Sequence, residues 1–292
     1  MGEFRNQAFL AAISIAIVTS VGASSASAAA VYLNGAPLFF DNYENDVVAS
    51  EPQNPQVGTW GSPGFTNLYT HVQDAVSVAT VSGSNPGWIS DPPTSAYQGN
   101  NFLRVYRQGS STGVASAYFG TVTSPGSGSS VLTADLALYM PSSAGDYMAG
   151  ISFSNNATVP YADALMYIDV GIQANGTVTY NDGVNNNPIA GIAYQKDKWQ
   201  RWRIDYTLRP GSANDTYTIT IDGVTSAPIA AINANGSGAD GPTTTFQFLS
   251  FRGDGFGAYF VDIPEPASAS MGLLAACGMM LMRRCRHRRH RQ

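Results

Sequence analysis

The chain has 292 residues, with 20 acidic and 15 basic side chains and a formal charge of −5. Six of the basic residues are arginines in the last ten positions, so residues 31–263 keep eight basic against 18 acidic residues and carry about −10, which argues against a nucleic-acid partner. Both cysteines lie in the C-terminal tail and residues 31–263 hold a single histidine, His71, which excludes disulfides, Cys-based zinc sites, thiol nucleophiles and clustered His ligands there.

Residues 1–30 read as a signal peptide. Arg5 supplies a positive start, Phe9 to Val18 an apolar run, and Ala26-Ser27-Ala28 the small-x-small pattern that signal peptidase cuts. The run is too short to span a bilayer, which takes about 20 residues. Residues 31–263 contain no Pro-rich or charge-rich linker and no fixed-period repeat, and they read as one β-sandwich domain.

Period-two alternation dominates this body. Leu132, Ala134, Leu136, Leu138 and Met140 alternate with Thr133, Asp135, Ala137 and Tyr139. Trp202, Ile204, Tyr206 and Leu208 alternate with Arg201, Arg203, Asp205 and Thr207. Tyr217, Ile219 and Ile221 alternate with Thr216, Thr218, Thr220 and Asp222. Each pattern predicts a strand with one buried and one wet face, as in an antiparallel sheet. Further strands are expected at 76–81, 102–107, 113–122, 147–154, 165–173, 177–181, 245–252 and 257–262, with turns at Asn175-Gly176, Asp182-Gly183 and Asp222-Gly223. A dozen or so strands predict an all-β fold of two packed antiparallel sheets.

The segment Trp199–Gly223 (WQRWRIDYTLRPGSANDTYTITIDG) resembles the laminin-G and concanavalin-type jelly roll. The opening FDNYEND at 40–46 and the closing FGAYFVD at 256–262 resemble the first and last strands of that group. Pro264 departs from the pattern by following Asp262 closely, so the closing strand is expected to be short or at an edge. The resemblance implies a lectin-like or glucanase-like sandwich in which a structural calcium ties the first strand to the last. By that resemblance Glu44 and Asp262 are the expected ligands, with Asp41 next; the alternative is that Asp41 and Asp46 merely flank a turn in solvent.

No metalloprotease, nucleophile-elbow or phosphate-cradling motif occurs. Among the 18 body acids only Glu44 and Asp46 stand two apart, with the next at Glu51, which departs from the strand-borne glucanase triad. A distributed pair such as Asp169 with Asp205 is the remaining catalytic candidate, and His71 has no readable partner.

Sugar binding asks for an exposed aromatic face beside polar groups. Trp60 and Trp88, in loops rich in Gly, Pro and Asn, are the candidate carbohydrate-binding residues, with folded-down loop anchors as the other reading; Trp199 and Trp202 are expected in the sheet core.

Residues 264–292 run Pro264-Glu265-Pro266, an apolar stretch from Ala267 to Met282, then RRCRHRRHRQ. That order resembles the PEP-CTERM sorting signal and implies a C-terminal transmembrane helix that anchors the chain transiently, processing by an exosortase, and delivery to a bacterial envelope or extracellular matrix. The expectation is therefore a secreted, non-catalytic sandwich that is structural or carbohydrate-binding, with polysaccharide as the candidate partner and calcium as the candidate cofactor. The alternatives are a glycan hydrolase or lyase of the same fold, and a surface protein with no ligand.

Overall fold

The computed structural model describes residues 31–60, 76–81, 85, 92–107, 113–143, 149–154, 166–182, 185–210, 215–231, 245–253, 257–262 and 264. All of them fall within the unit Ala28–Glu265. The expected signal peptide, the apolar C-terminal stretch, His71, Trp88, Glu265 and Pro266 lie outside the described residues. Among the described residues no helix is long and apolar enough to cross a membrane.

Seventeen strands form two antiparallel sheets among the described residues. The larger sheet has the order β14 (Val224–Thr225), β13 (Thr216–Ile221), β12 (Trp199–Leu208), β7 (Ser130–Tyr139), β17 (Gly257–Asp262), β5 (Asn101–Arg107), β4 (Val76–Thr80). On it β1 (Val31–Leu33) pairs with β7 and with β2 (Ala36–Phe39), and β15 (Ile229–Ala230) pairs with β13. The second sheet runs β11 (Asn186–Ala193), β10 (Thr177–Asn181), β9 (Met166–Ile172), β8 (Ala149–Ser154), β16 (Thr245–Gly253), β6 (Gly113–Thr123), β3 (Thr59–Trp60).

The inward positions of both sheets meet in one apolar cluster. Leu132, Leu136, Trp202, Ile204, Tyr206, Ile219 and Tyr259 of the larger sheet join Ala117, Ile151, Phe153, Val170, Leu249 and Phe251 of the smaller one. This is the two-sheet sandwich that the alternation predicts, with outward positions left polar along β12 and β13.

Two expectations change. The segment at 40–46 is not a strand: it is a turn-rich connection that follows β2, and the β1–β2 hairpin turns on Asn34 (φ +50°) and Gly35 (φ +82°). Asn-Gly at positive φ is the two-residue turn whose twist suits a hairpin. The closing strand β17 is short, ending at Asp262, but it is not at an edge; it lies between β7 and β5, pairing with both. Pro264 stands two residues beyond Asp262, outside the strand, so the missing N–H costs no ladder bond.

Candidate functional site

The outward face of the larger sheet carries a second apolar cluster, separate from the sandwich core. Trp199 on β12 pairs in register with Tyr139 on β7, Tyr139 with Phe260 on β17, and Phe260 with Arg104 on β5. The ring centroids of Trp199 and Tyr139 are 5.5 Å apart, those of Trp199 and Phe102 5.7 Å, and those of Phe102 and Phe260 5.4 Å. Most of these contacts are edge-on, the arrangement that the ring quadrupole favours. Phe102 and Phe260 are buried, whereas Trp199, Tyr139 and Tyr106 are only half-buried, so the row has an apolar floor and an accessible rim. The Arg104 guanidinium lies 4.5 Å over the Tyr106 ring.

The connection 92–100 forms one wall. The Trp199 indole N–H donates to the Ser95 carbonyl at 2.6 Å, Tyr97 packs on Trp199 at 6.4 Å, and the Gln98 N–H donates to Asp262 Oδ2 at 2.9 Å. At its end the Asn100 and Asn101 N–H groups both donate to Glu44 Oε1 at 2.7 Å.

From Trp199 the same face of β12 continues as a ladder of ion pairs. Arg201 grips Asp135 with Nε and Nη2 at 2.8 and 2.5 Å. Arg203 grips Asp205 at 2.7 and 2.9 Å, and Thr133 donates to Asp205 at 2.6 Å. Lys198 meets Asp222 at 3.1 Å beside Trp199. The hydrogen bond to Asp135 holds the Arg201 guanidinium above its usual range, with Tyr97 and Tyr32 within electrostatic reach. The arrangement is an aromatic platform opening onto a plane of paired donors and acceptors.

The residues singled out from the sequence for metal and sugar lie elsewhere. Trp60 is packed edge-on against Phe39 at 5.0 Å and stacked near Tyr43 at 6.1 Å, and its indole N–H donates to Asp41. These contacts anchor the 41–58 connection to the core and leave Trp60 half-buried, in keeping with the loop-anchor reading. Asp41 is buried and also accepts the Tyr43 N–H at 2.8 Å. Burial, foremost, pushes its carboxyl from 3.8 up to about 6, against the hydrogen bonds from Trp60 and Tyr43 and with help from Asp46. Asp46 accepts the N–H groups of Gln53 and Asn54 at 3.1 and 2.9 Å, and burial holds the enclosed Tyr43 hydroxyl far above its ordinary range, with Asp41, Asp262 and Asp46 adding to the effect.

Asp41, Glu44 and Asp262 do not fit a shared calcium. Each is engaged by N–H donors of a different stretch: Tyr43 and Trp60 for Asp41, Asn100 and Asn101 for Glu44, Gln98 for Asp262. Among the described residues no three acids come together as a metal site. Calcium wants six to eight oxygens, carboxylates foremost, and here the carboxylates serve as anchors for backbone.

The proposed carboxylate pair is divided by the fold. Asp205 is on the outward face of the larger sheet, whereas Asp169 is on β9 of the smaller one, 3.5 Å from Arg252. Asp169 ends a cross-strand row with Ser152, Ser250 and Ser116, in which the last two hydroxyls meet at 2.9 Å. All four are buried in the smaller sheet.

Trp199, expected in the sheet core, lies half-buried on the outward face instead, whereas Trp202 is in the core. Parity holds the signal that could have found it: Trp202, Ile204 and Tyr206 face inward, so Trp199 shares the outward parity of Arg201 and Arg203.

No family model matches the chain, and no curated protein matches it. Among solved structures, the T. cruzi calreticulin globular domain is 10% identical with a TM-score of 0.36, covering 63% of this chain and 84% of that one. The VIP36 exoplasmic/lumenal domain in its Ca2+/Man3GlcNAc-bound form is 11% identical with a TM-score of 0.32, covering 69% and 86%. Lectin UEA-II complexed with galactose is 11% identical with a TM-score of 0.31, covering 67% and 95%. A sialidase is 10% identical with a TM-score of 0.36 over 56% of this chain, which spans only 15% of that one. None of these assigns an activity to this chain.

Proposed function

We propose that this chain is an exported, non-catalytic β-sandwich of the concanavalin-like type that binds carbohydrate. The observation that carries the reading is the half-buried Trp199–Tyr139 platform, fixed in cross-strand register and adjoined on one face by Arg201–Asp135 and Arg203–Asp205. An aromatic surface takes the C–H face of a sugar ring, and oriented polar groups beside it take the hydroxyls. The strands hold both parts, so little ordering is left to be done on binding.

The terminal segments support the setting: the PEP-CTERM-like order of Pro264-Glu265-Pro266, apolar stretch and arginines, with the signal-peptide pattern at residues 1–30. In this reading signal peptidase and an exosortase process the chain, and the sandwich works at the envelope or in the exopolysaccharide matrix of a bacterium.

A glycan array probed with the purified chain and with Trp199→Ala tests the binding. Retention of the parent chain on a defined set of glycans, lost in Trp199→Ala with its thermal transition retained, is the expected result. An array without retained glycans removes the reading.

A further inference from the structure

We infer that this face binds an uncharged, linear polysaccharide laid along β12 across several sugar rings, from Trp199 to Asp205. The inference rests on the carbohydrate reading above and narrows it to a substrate class.

Charge is the first ground. The residues 31–263 are strongly acidic, and five of their eight basic residues lie between positions 196 and 209. A basic stripe on an acidic body would ordinarily suggest an anionic ligand. Three of the five are neutralised within the sheet: Lys198 is paired with Asp222 at 3.1 Å, Arg201 with Asp135 at 2.5 Å and Arg203 with Asp205 at 2.7 Å. A uronate or sulfate could take the two-pronged, charge-compensating grip of Arg201 only by displacing Asp135. That would strand Asp135, whose side chain is 9% exposed while that of Arg201 is 54% exposed. Leaving a buried carboxylate without its partner is strongly unfavourable. An anionic sugar is therefore disfavoured here, and a neutral one is not.

Chemistry is the second ground. Sugar hydroxyls donate and accept together. A paired guanidinium keeps outward N–H groups and a paired carboxylate keeps lone pairs, so the ladder presents both at alternating positions. Thr218 and Thr220 stand in register with Asp205 and Arg203 on the neighbouring β13 and add hydroxyls of the same kind.

Length is the third. Trp199, Arg201, Arg203 and Asp205 share one side of β12 in a continuous ladder against β7. At about 3.3 Å per residue the track from Trp199 to Asp205 is roughly 20 Å long, far more than one pyranose ring. The aromatic platform occupies one end only, so a single ring would use the platform and leave the ladder idle.

The test titrates the full chain calorimetrically with neutral oligosaccharides of one to six residues, cut from the glycan retained best, and with oligogalacturonates of equal lengths. The expected result is an affinity that rises by about tenfold or more from monomer to tetramer. It should also change little between about 0.01 M and 1 M salt. Arg203→Gln should weaken the hexamer while sparing the monomer, and Arg203→Lys, which keeps the charge without the fork, should fall between; the thermal transition of each reports its folding. Affinity independent of length, or a salt-sensitive preference for the galacturonates, overturns this inference and leaves carbohydrate binding standing. Equal binding by Trp199→Ala places the glycan elsewhere and overturns this inference, whereas no binding of any glycan sinks the carbohydrate reading itself.

Discussion

Glu44 and Gly99 are fitted to one another across two connections. Gly99 has φ of +64°, and a Cβ at that position would collide with Glu44 Oε1, the oxygen that takes the Asn100 and Asn101 N–H groups. Together with Gln98 on Asp262 and Ser95 on Trp199, this contact holds the wall that carries Tyr97. Gly99→Ala must strain the backbone and displace Glu44 at once. It should lower unfolding free energy by about 1–3 kcal/mol, measured by urea denaturation, and weaken glycan binding by loosening that wall.

Trp199 and Trp202 should separate binding from stability. Trp202 is 1% exposed in the sandwich core, and Trp202→Ala should cost about 3–5 kcal/mol by leaving a cavity. Trp199→Ala removes three ring contacts, each worth about 0.5–1.5 kcal/mol, and the hydrogen bond to Ser95 on the outward face; it leaves the sandwich core packed, yet should abolish glycan binding. Chemical denaturation and array retention on both variants check the separation.

Asp41 makes stability depend on pH in a defined direction. Burial raises its folded-state value from 3.8 to about 6. Between those values the folded chain keeps a proton that the unfolded chain has lost, so stability falls as pH rises through the window and the contribution is gone above it. The loss should be about 2–3 kcal/mol, read from denaturation midpoints across the window. Asp41→Asn, which stays neutral throughout, should flatten that slope.

Chelation should leave the thermal transition unmoved. Asp41, Glu44 and Asp262 are each occupied by N–H donors, so no metal is needed to balance them. A melting temperature lowered by chelator and restored by calcium would contradict this placement.

The strands were legible because their code is local. Alternation in β7, β12 and β13 specifies a buried and a wet side, and the Asn-Gly and Asp-Gly pairs mark turns. β11 and the short strands β1, β2, β3, β14 and β15 carry no such pattern; pairing with β10, β7, β1, β6 and β13 defines them. The acids at 41–46 looked like ligands because sequence shows their charge and not their partners. Whether Trp60 is a loop anchor or a sugar contact was open for the same reason, since Asp41, Phe39 and Tyr43 reach it only through the fold. The platform joins residues 139, 199 and 260 through long-range pairing; each parity was readable, but the juxtaposition was not.

The most direct measurement is the set of tryptophan indole N–H resonances of the chain, followed as the retained glycan is added. The Trp199 signal should shift in a saturable manner together with the amides of Arg201 and Arg203, while that of Trp202 stays in place. Shifts confined to the other sheet, at Ser152, Ser250 and Arg252, would contradict the assignment of binding to this face.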